Sequence, residues 1–423
     1  AAMGDVVEFD TPPGPKRSAR GRRRRKRASK TALVLGGGGF TGGVYEIGAL
    51  RALDLLSVNR TVNEFDVYVG TSAGSFIASM LANGVTPEEM MRVLNRHLPS
   101  PIKEMDQGTV LRPNYRGFAT RALVFPLRLA GAARELAGRL GDVSLMDVLT
   151  GLAGALPTGL YDGRGIESYV EEVLSDPDRT NDFRLLDSEL YLPATDLDTT
   201  ERVIFGEREW RDVPISSAVA ASTALPMVYT PVELRGRQFV DGGIRSTTNV
   251  DVAVERGAKF IVVVNPLVPF VNDFSHQIPT VLGTRARRIS DMGFAAIGNQ
   301  AFRMISHDRL HRAVEDWERK YPGVDIILIE PEADDELMFG TSILDYSARL
   351  RIARHGFESV TLRLARDYER YQSIAGRHGI EISARRVRHV LDEVEREERE
   401  ETSAWRRVLE QTTGALLRQT GSD

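Results

Sequence analysis

Three glycine-framed segments hold the residues best suited to chemistry in this 423-residue chain. Gly70-Thr71-Ser72-Ala73-Gly74 reads G-x-S-x-G. A serine on a tight turn between strand and helix has its hydroxyl lifted clear of the sheet, and its neighbours must be small because the two backbones nearly collide there. The helix that follows turns its amides and positive dipole end toward developing negative charge. Ser72 is therefore a candidate nucleophile, with Gly70 and Gly74 as supporting positions. The run Gly36-Gly37-Gly38-Gly39-Phe40-Thr41-Gly42-Gly43 lets backbone amides converge on an anion, since glycine lacks the Cβ that blocks close approach. Two anions compete for it. Gly37, Gly39 and Gly42 fit G-x-G-x-x-G, the pattern that receives a pyrophosphate, and Asp66, 24 residues past Gly42, is spaced to bind a ribose. The other anion is the oxyanion of a tetrahedral intermediate formed on Ser72. The third segment is Asp241-Gly242-Gly243, following the apolar Gln238-Phe239-Val240. A serine hydroxyl needs a base in hydrogen-bond reach, and a carboxylate in a glycine-walled, partly desolvated site can be that base. A plain Asp-Gly turn is the competing reading.

Histidine is the usual base, so its placement matters. The seven histidines are His97, His276, His307, His311, His355, His378 and His389, and none lies beside a glycine-rich turn. His307 and His311 are spaced (i, i+4) on an expected helix, which suits metal ligation, but neither H-E-x-x-H nor a third ligand accompanies them. They read as helix-surface residues, and no metal or other cofactor is expected.

The elements that must position these residues follow from apolar patterning. Thr31–Leu35 and Phe65–Val69 read as buried strands entering the first two glycine turns, with helices starting near Val44 and Phe76. Strand–loop–helix, twice, begins an α/β parallel sheet. Further strands are expected at 190–194, 202–205, 259–265 and 324–330, a small-residue helix at 215–224, and long helices at 284–320 and 343–374. Residues 97–160 interrupt the alternation as an insertion, and 384–410 form a highly charged helical tail.

The three motifs, in this order, resemble the patatin-like phospholipase family. Ala194-Thr195-Asp196-Leu197, the 216–222 run with Leu225-Pro226, and Asp251-Val252-Ala253 extend the likeness over residues 31–270, and more weakly over 271–375. The resemblance implies a three-layer α/β/α fold with a mostly parallel central sheet, plus a helical insertion and a helical C-terminal extension. With the charge patterning of the two ends, which fall outside the likeness, the expected division is a disordered basic arm (1–30), a hydrolase domain (31–375, with 97–160 as helical insertion or cap) and a charged helical extension (376–423). The resemblance also implies Ser72 as nucleophile, Asp241 as base of a Ser–Asp dyad with Gly242 and Gly243 supporting it, and Gly37, Gly38 and Gly39 as oxyanion donors. The implied activity is phospholipase A-type hydrolysis of lipid esters without a cofactor. Two departures stand out: Thr41 occupies the place of the family's Arg or Lys, and Thr247 that of its Asn, with Asn249 two residues on.

Composition sets the surroundings. The chain has no cysteine, which excludes disulfides and thiolate chemistry and fits a reducing compartment. It has no apolar run of about 18 residues, as a spanning helix needs, and its start lacks the basic-then-apolar layout of a secretory signal. The expected location is cytoplasmic, peripheral on the inner face of a membrane. The net charge of −4 divides into +7 over residues 1–30 and −11 over the rest. The arm, basic from Lys16 to Lys30, reads either as a solvated tail or as a device for anionic lipid; no specific nucleic acid is expected. From Phe118, Ala122, Phe125, Leu129, Ala132, Leu136 and Leu140 form a stripe, and residues 107–140 carry six arginines, the pattern of an interfacial helix or of a buried cap. The charged tail is a candidate partner helix, including for a second copy of this chain. Three other readings stay open: a Ser–Asp–His esterase, a catalytically weak scaffold for lipid or protein, and a nucleotide-binding Rossmann enzyme.

Overall fold

The computed structural model describes residues 29–95, 105–121, 156–272 and 288–390, with a few isolated positions between them. The basic arm, the stripe from Ala122 to Leu140, the tail beyond 396, His97 and His276 lie outside the described residues.

Eight strands form the central sheet: β1 (Thr31–Leu35), β2 (Val67–Gly70), β3 (Glu189–Asp196), β4 (Arg202–Phe205), β5 (Val232–Leu234), β6 (Arg237–Asp241), β7 (Phe260–Val264) and β8 (Asp325–Ile329). Their order is β8-β7-β1-β2-β3-β6-β5, with β4 also on β3. The five strands from β8 to β3 run parallel, whereas β4, β6 and β5 join antiparallel. The sheet is thus parallel in the half that carries the glycine turns and antiparallel beyond β3.

Alternation along β1 divides the core in two. Leu33 and Leu35 face one apolar layer, built mainly on α1 (Gly39–Leu56), α2 (Ala73–Ala82), α3 (Pro87–Leu94), α4 (Arg164–Leu174) and α5 (Ile215–Thr223). Ala32 and Val34 face the other, covered by α6 (Val250–Glu255) and α7 (Phe294–Lys320). A strand buried on both faces reads as a continuous apolar run, as Ile261-Val262-Val263-Val264 does. The three-layer α/β/α arrangement follows. α8 (Arg349–Arg366) packs along α1, where Gly48 and Gly356 let the backbones touch: a Cβ on Gly48 would lie 2.0 Å from the Ala353 carbonyl. α9 (Tyr368–Arg377) follows, and Ile380, Val387 and Val390 bury in the same layer, so the first part of the extension is integral to the core.

Both long helices start later than expected. α7 begins at Phe294 because Gly293, at φ 87°, takes a conformation no helix accepts. The 343–374 stretch divides at Asp367 into α8 and α9, and its first residues are non-helical, with the Ile343 carbonyl accepting from the Thr41 amide of the glycine loop.

Candidate active site

The parallel strands all point their carboxyl ends at one edge, where open α/β sheets bind ligands. β1 delivers Gly36–Gly39 there and β2 delivers Thr71 and Ser72. β6 reaches the same level from the opposite direction. Val69 is in register with Tyr191, so Ala194 is level with Ser72, and Ala194 pairs with Asp241. Two residues 169 apart in the chain meet this way: Ser72 Oγ donates to Asp241 Oδ2 at 2.5 Å.

Ser72 has φ 55° and ψ −127°, a strained conformation for a residue with a Cβ, costing on the order of 1–3 kcal/mol. Glycines make the turn possible. A Cβ on Gly70 would fall 2.3 Å from the Gly74 carbonyl, and one on Gly74 would fall 2.4 Å from the Gly36 carbonyl. Polar groups hold the serine from behind: its amide donates to Ser222 Oγ (3.0 Å), which itself donates to the Pro193 carbonyl (2.7 Å). Thr71 Oγ1 accepts from Asn249 Nδ2 at 2.9 Å, and Arg202 holds Asn249 Oδ1. Sequence reasoning assigned no role to Asn249, though it noted that residue two positions past the place of the family's asparagine.

The glycine loop faces the serine. A Cβ on Gly37 would sit 3.0 Å from Ser72 Cβ. Gly38 and Gly39 have φ of 154° and 63°. Among the described residues the amides of Gly37, Gly38 and Gly39 donate to no protein acceptor, whereas their neighbours are committed: Gly36 to Val264 and Thr41 to Ile343. Thr41, where a basic residue was expected, is buried, and its hydroxyl donates to the Ser342 carbonyl at 2.6 Å. Two hydrogen bonds from 300 residues downstream therefore fasten this loop.

Ser72 and Asp241 are both buried. Burial pushes the Asp241 carboxyl up to about 6, and the bonds from Ser72 and from the Gly243 amide (2.7 Å) restrain the rise. Under the loop, Glu46 of α1 is fully buried; desolvation raises its carboxyl well above its ordinary value, and the Gly36 backbone restrains the rise. A cavity of about 130 Å³ opens behind Gly243 between Thr247, Asp251, Arg309 and Trp317, and Ser72 does not line it.

The other sequence candidates are placed elsewhere. Asp66 accepts from the Thr31 amide (2.9 Å) at the start of β1, the edge opposite the glycine loop, which removes the ribose ligand that a dinucleotide site requires. Among the described residues no histidine hydrogen-bonds Ser72 or Asp241, as a Ser–Asp–His site requires, and His311 pairs with Glu330, His355 with Asp335 and His378 with Asp325. His307 and His311 are not simple surface residues: strand β8 brings Glu330 beside them.

A strained serine over a helix N-terminus, a buried carboxylate and a row of uncommitted amides, gathered on one edge of an α/β/α sheet, can carry out acyl transfer by a serine nucleophile. The sequence pattern of the patatin-like phospholipases matches residues 33–254, about half the chain, and the chain belongs to that family. Among curated relatives, uncharacterized protein R571 of Acanthamoeba polyphaga mimivirus is 24% identical over 213 residues, covering 50% of this chain and 57% of its own. Probable lipid hydrolase 463L of invertebrate iridescent virus 6 is 21% identical over 223 residues, covering 53% and 63%. The chain thus spans under two thirds of the length of either. VipD from Legionella pneumophila is similar to it with a TM-score of 0.35 and 17% identity, over 80% of this chain and 67% of VipD.

Proposed function

We propose that this protein is a serine lipid acyl hydrolase, of phospholipase A type, working through Ser72 and Asp241. The 2.5 Å contact between their side chains beside Gly37 carries the reading. Asp241 takes the proton as Ser72 Oγ adds to the ester carbonyl. The amides of Gly37, Gly38 and Gly39 hold the resulting oxyanion, where losing one donor typically costs about 2.7–4 kcal/mol. The tetrahedral intermediate collapses, the C–O bond breaks, and Asp241 returns the proton to the departing alcohol. Water then adds to the acyl-Ser72 ester with Asp241 again as base, releasing the fatty acid and regenerating the serine.

A lipid surface suits the mouth of the site. Gly159 pairs with Met227, three residues past the Ala224 whose carbonyl accepts the Asp241 amide. Met227, Tyr115, Leu156 and Leu160 are all exposed, and Pro113 bridges to Tyr161 beside them. With the basic arm, these residues support peripheral docking on an anionic bilayer. No described helix is long and apolar enough to cross a membrane.

Ser72→Ala and Asp241→Asn are each expected to lower phospholipid hydrolysis by at least about a thousandfold. A fluorophosphonate is expected to label the parent chain and not Ser72→Ala. Full hydrolysis by either variant defeats the dyad.

A further inference from the structure

α7 and the end of β8 together carry an arrangement that the hydrolytic reaction does not use. His307 and His311, one helical turn apart, stack their imidazoles at 3.9 Å between centroids. Glu330, the first residue after β8, is buried against them, and its Oε2 lies 2.9 Å from His311 Nε2. One donor atom from each of the three residues falls within 4.8 Å of the other two. Among the described residues His307 makes no hydrogen bond, so its ring nitrogens are uncommitted.

Two further contacts prepare the carboxylate. Glu330 Oε1 accepts from Asn265 Nδ2 at 2.7 Å, which orients the carboxylate and leaves Oε2 toward His311. Arg363 donates to the Glu330 backbone carbonyl at 2.7 Å and pins the strand end. Metal-binding carboxylates are commonly oriented by an outer partner of this kind. Arg303, one turn earlier on α7, is held by the carbonyls of Val268 and Met338.

We propose that His307, His311 and Glu330 bind a divalent transition metal, Zn²⁺ in the first instance. Paired imidazoles at (i, i+4) with one carboxylate are a known zinc donor set, leaving a fourth position for water. Bonds of about 2.0–2.1 Å in a tetrahedron separate donor atoms by roughly 3.3 Å, a spacing these side chains reach through small rotamer changes. Two nitrogen donors disfavour Ca²⁺ and Mg²⁺, which take oxygen ligands. The metal ties α7 to the carboxyl edge of the sheet. Through Asn265 it also touches the glycine loop, for a Cβ on Gly36 would lie 3.2 Å from Asn265 Oδ1. Its role is that of a brace, separate from the reaction at Ser72, and it stands or falls without the proposed activity.

The test uses the full chain after chelator treatment, titrated with Zn²⁺ in a calorimeter and with Co²⁺ by visible absorption. One equivalent of Zn²⁺ is expected to bind, with tetrahedral Co²⁺ bands and a raised melting temperature. His307→Ala, His311→Ala and Glu330→Gln are each expected to weaken binding by more than about tenfold, and Asn265→Ala by about tenfold. His307→Ala is the cleanest, since it removes a half-buried ring that makes no hydrogen bond; its metal-free melting temperature should match the parent. Absence of saturable Zn²⁺ binding, or unchanged affinity in a His307→Ala/His311→Ala double variant, overturns the site.

Discussion

Asp241 works as a base only when ionised, and its burial sets the pH at which that happens. With its pKa raised from 3.8 to about 6, kcat/KM is expected to climb through a limb near pH 6. A limb near pH 4 in the rate profile contradicts this environment. The same shift acts on stability. Between pH 4 and 6 the folded state holds a proton that the unfolded state has lost, so stability falls as pH rises through that window and stays lower above it. Asp241→Asn escapes this loss. Its melting temperature is expected to gain on the parent from pH 4 to pH 6 and to keep that gain at pH 8, an advantage absent if the carboxylate is well solvated. Ser72, Asp241 and the glycine run were legible in the sequence because each demands particular residue types within a few positions. The roles of Ser222, Asn249 and Glu330 were not, since each holds a partner 65 to 178 residues away through a single polar side chain that no motif of residue types marks.

At the scale of elements, the glycine loop depends on a segment that secondary-structure periodicity assigns to a helix. Ser342 and Ile343 lend their carbonyls to the hydroxyl and the backbone amide of Thr41, which stands where a basic residue was expected. Thr41→Val keeps the shape and deletes the hydroxyl. It should cost about 0.5–1.5 kcal/mol of stability but lower kcat by a larger factor, since it loosens the donors. Gly39→Ala is harsher, because its φ is 63° and the new Cβ would sit 2.6 Å from the Ile343 carbonyl. Hydrolysis is expected to fall by two orders of magnitude or more while the far-UV circular dichroism stays unchanged. Wild-type rates in Gly39→Ala would show that the loop plays no part. Six of the eight strands were read from apolar runs within one to two residues of where they lie, because burial on both faces leaves a strong signature; β5 and β6 were not, since β5 is only half covered and β6 starts on an exposed stretch. The breaks at Gly293 and Asp367 were hidden, as helical periodicity continues across both.

For the whole molecule, the charge division predicts behaviour at membranes. Removing residues 1–28 should cut flotation with anionic vesicles, increasingly so at low salt, while hydrolysis of a short soluble ester is unchanged. Equal flotation with and without the arm assigns docking to the apolar mouth alone. The family-matched stretch ends at residue 254, before β7 and β8 begin. A protein that keeps β1 whole but is cut after residue 254 turns β1 from the middle of the sheet into its rim, with five fully shielded positions and a row of unpaired amides laid bare. Such a fragment is expected to self-associate on refolding, as light scattering would register. Anyone grafting this catalytic half onto another scaffold must therefore carry the chain past Ile343, or supply foreign strands and carbonyls in its place.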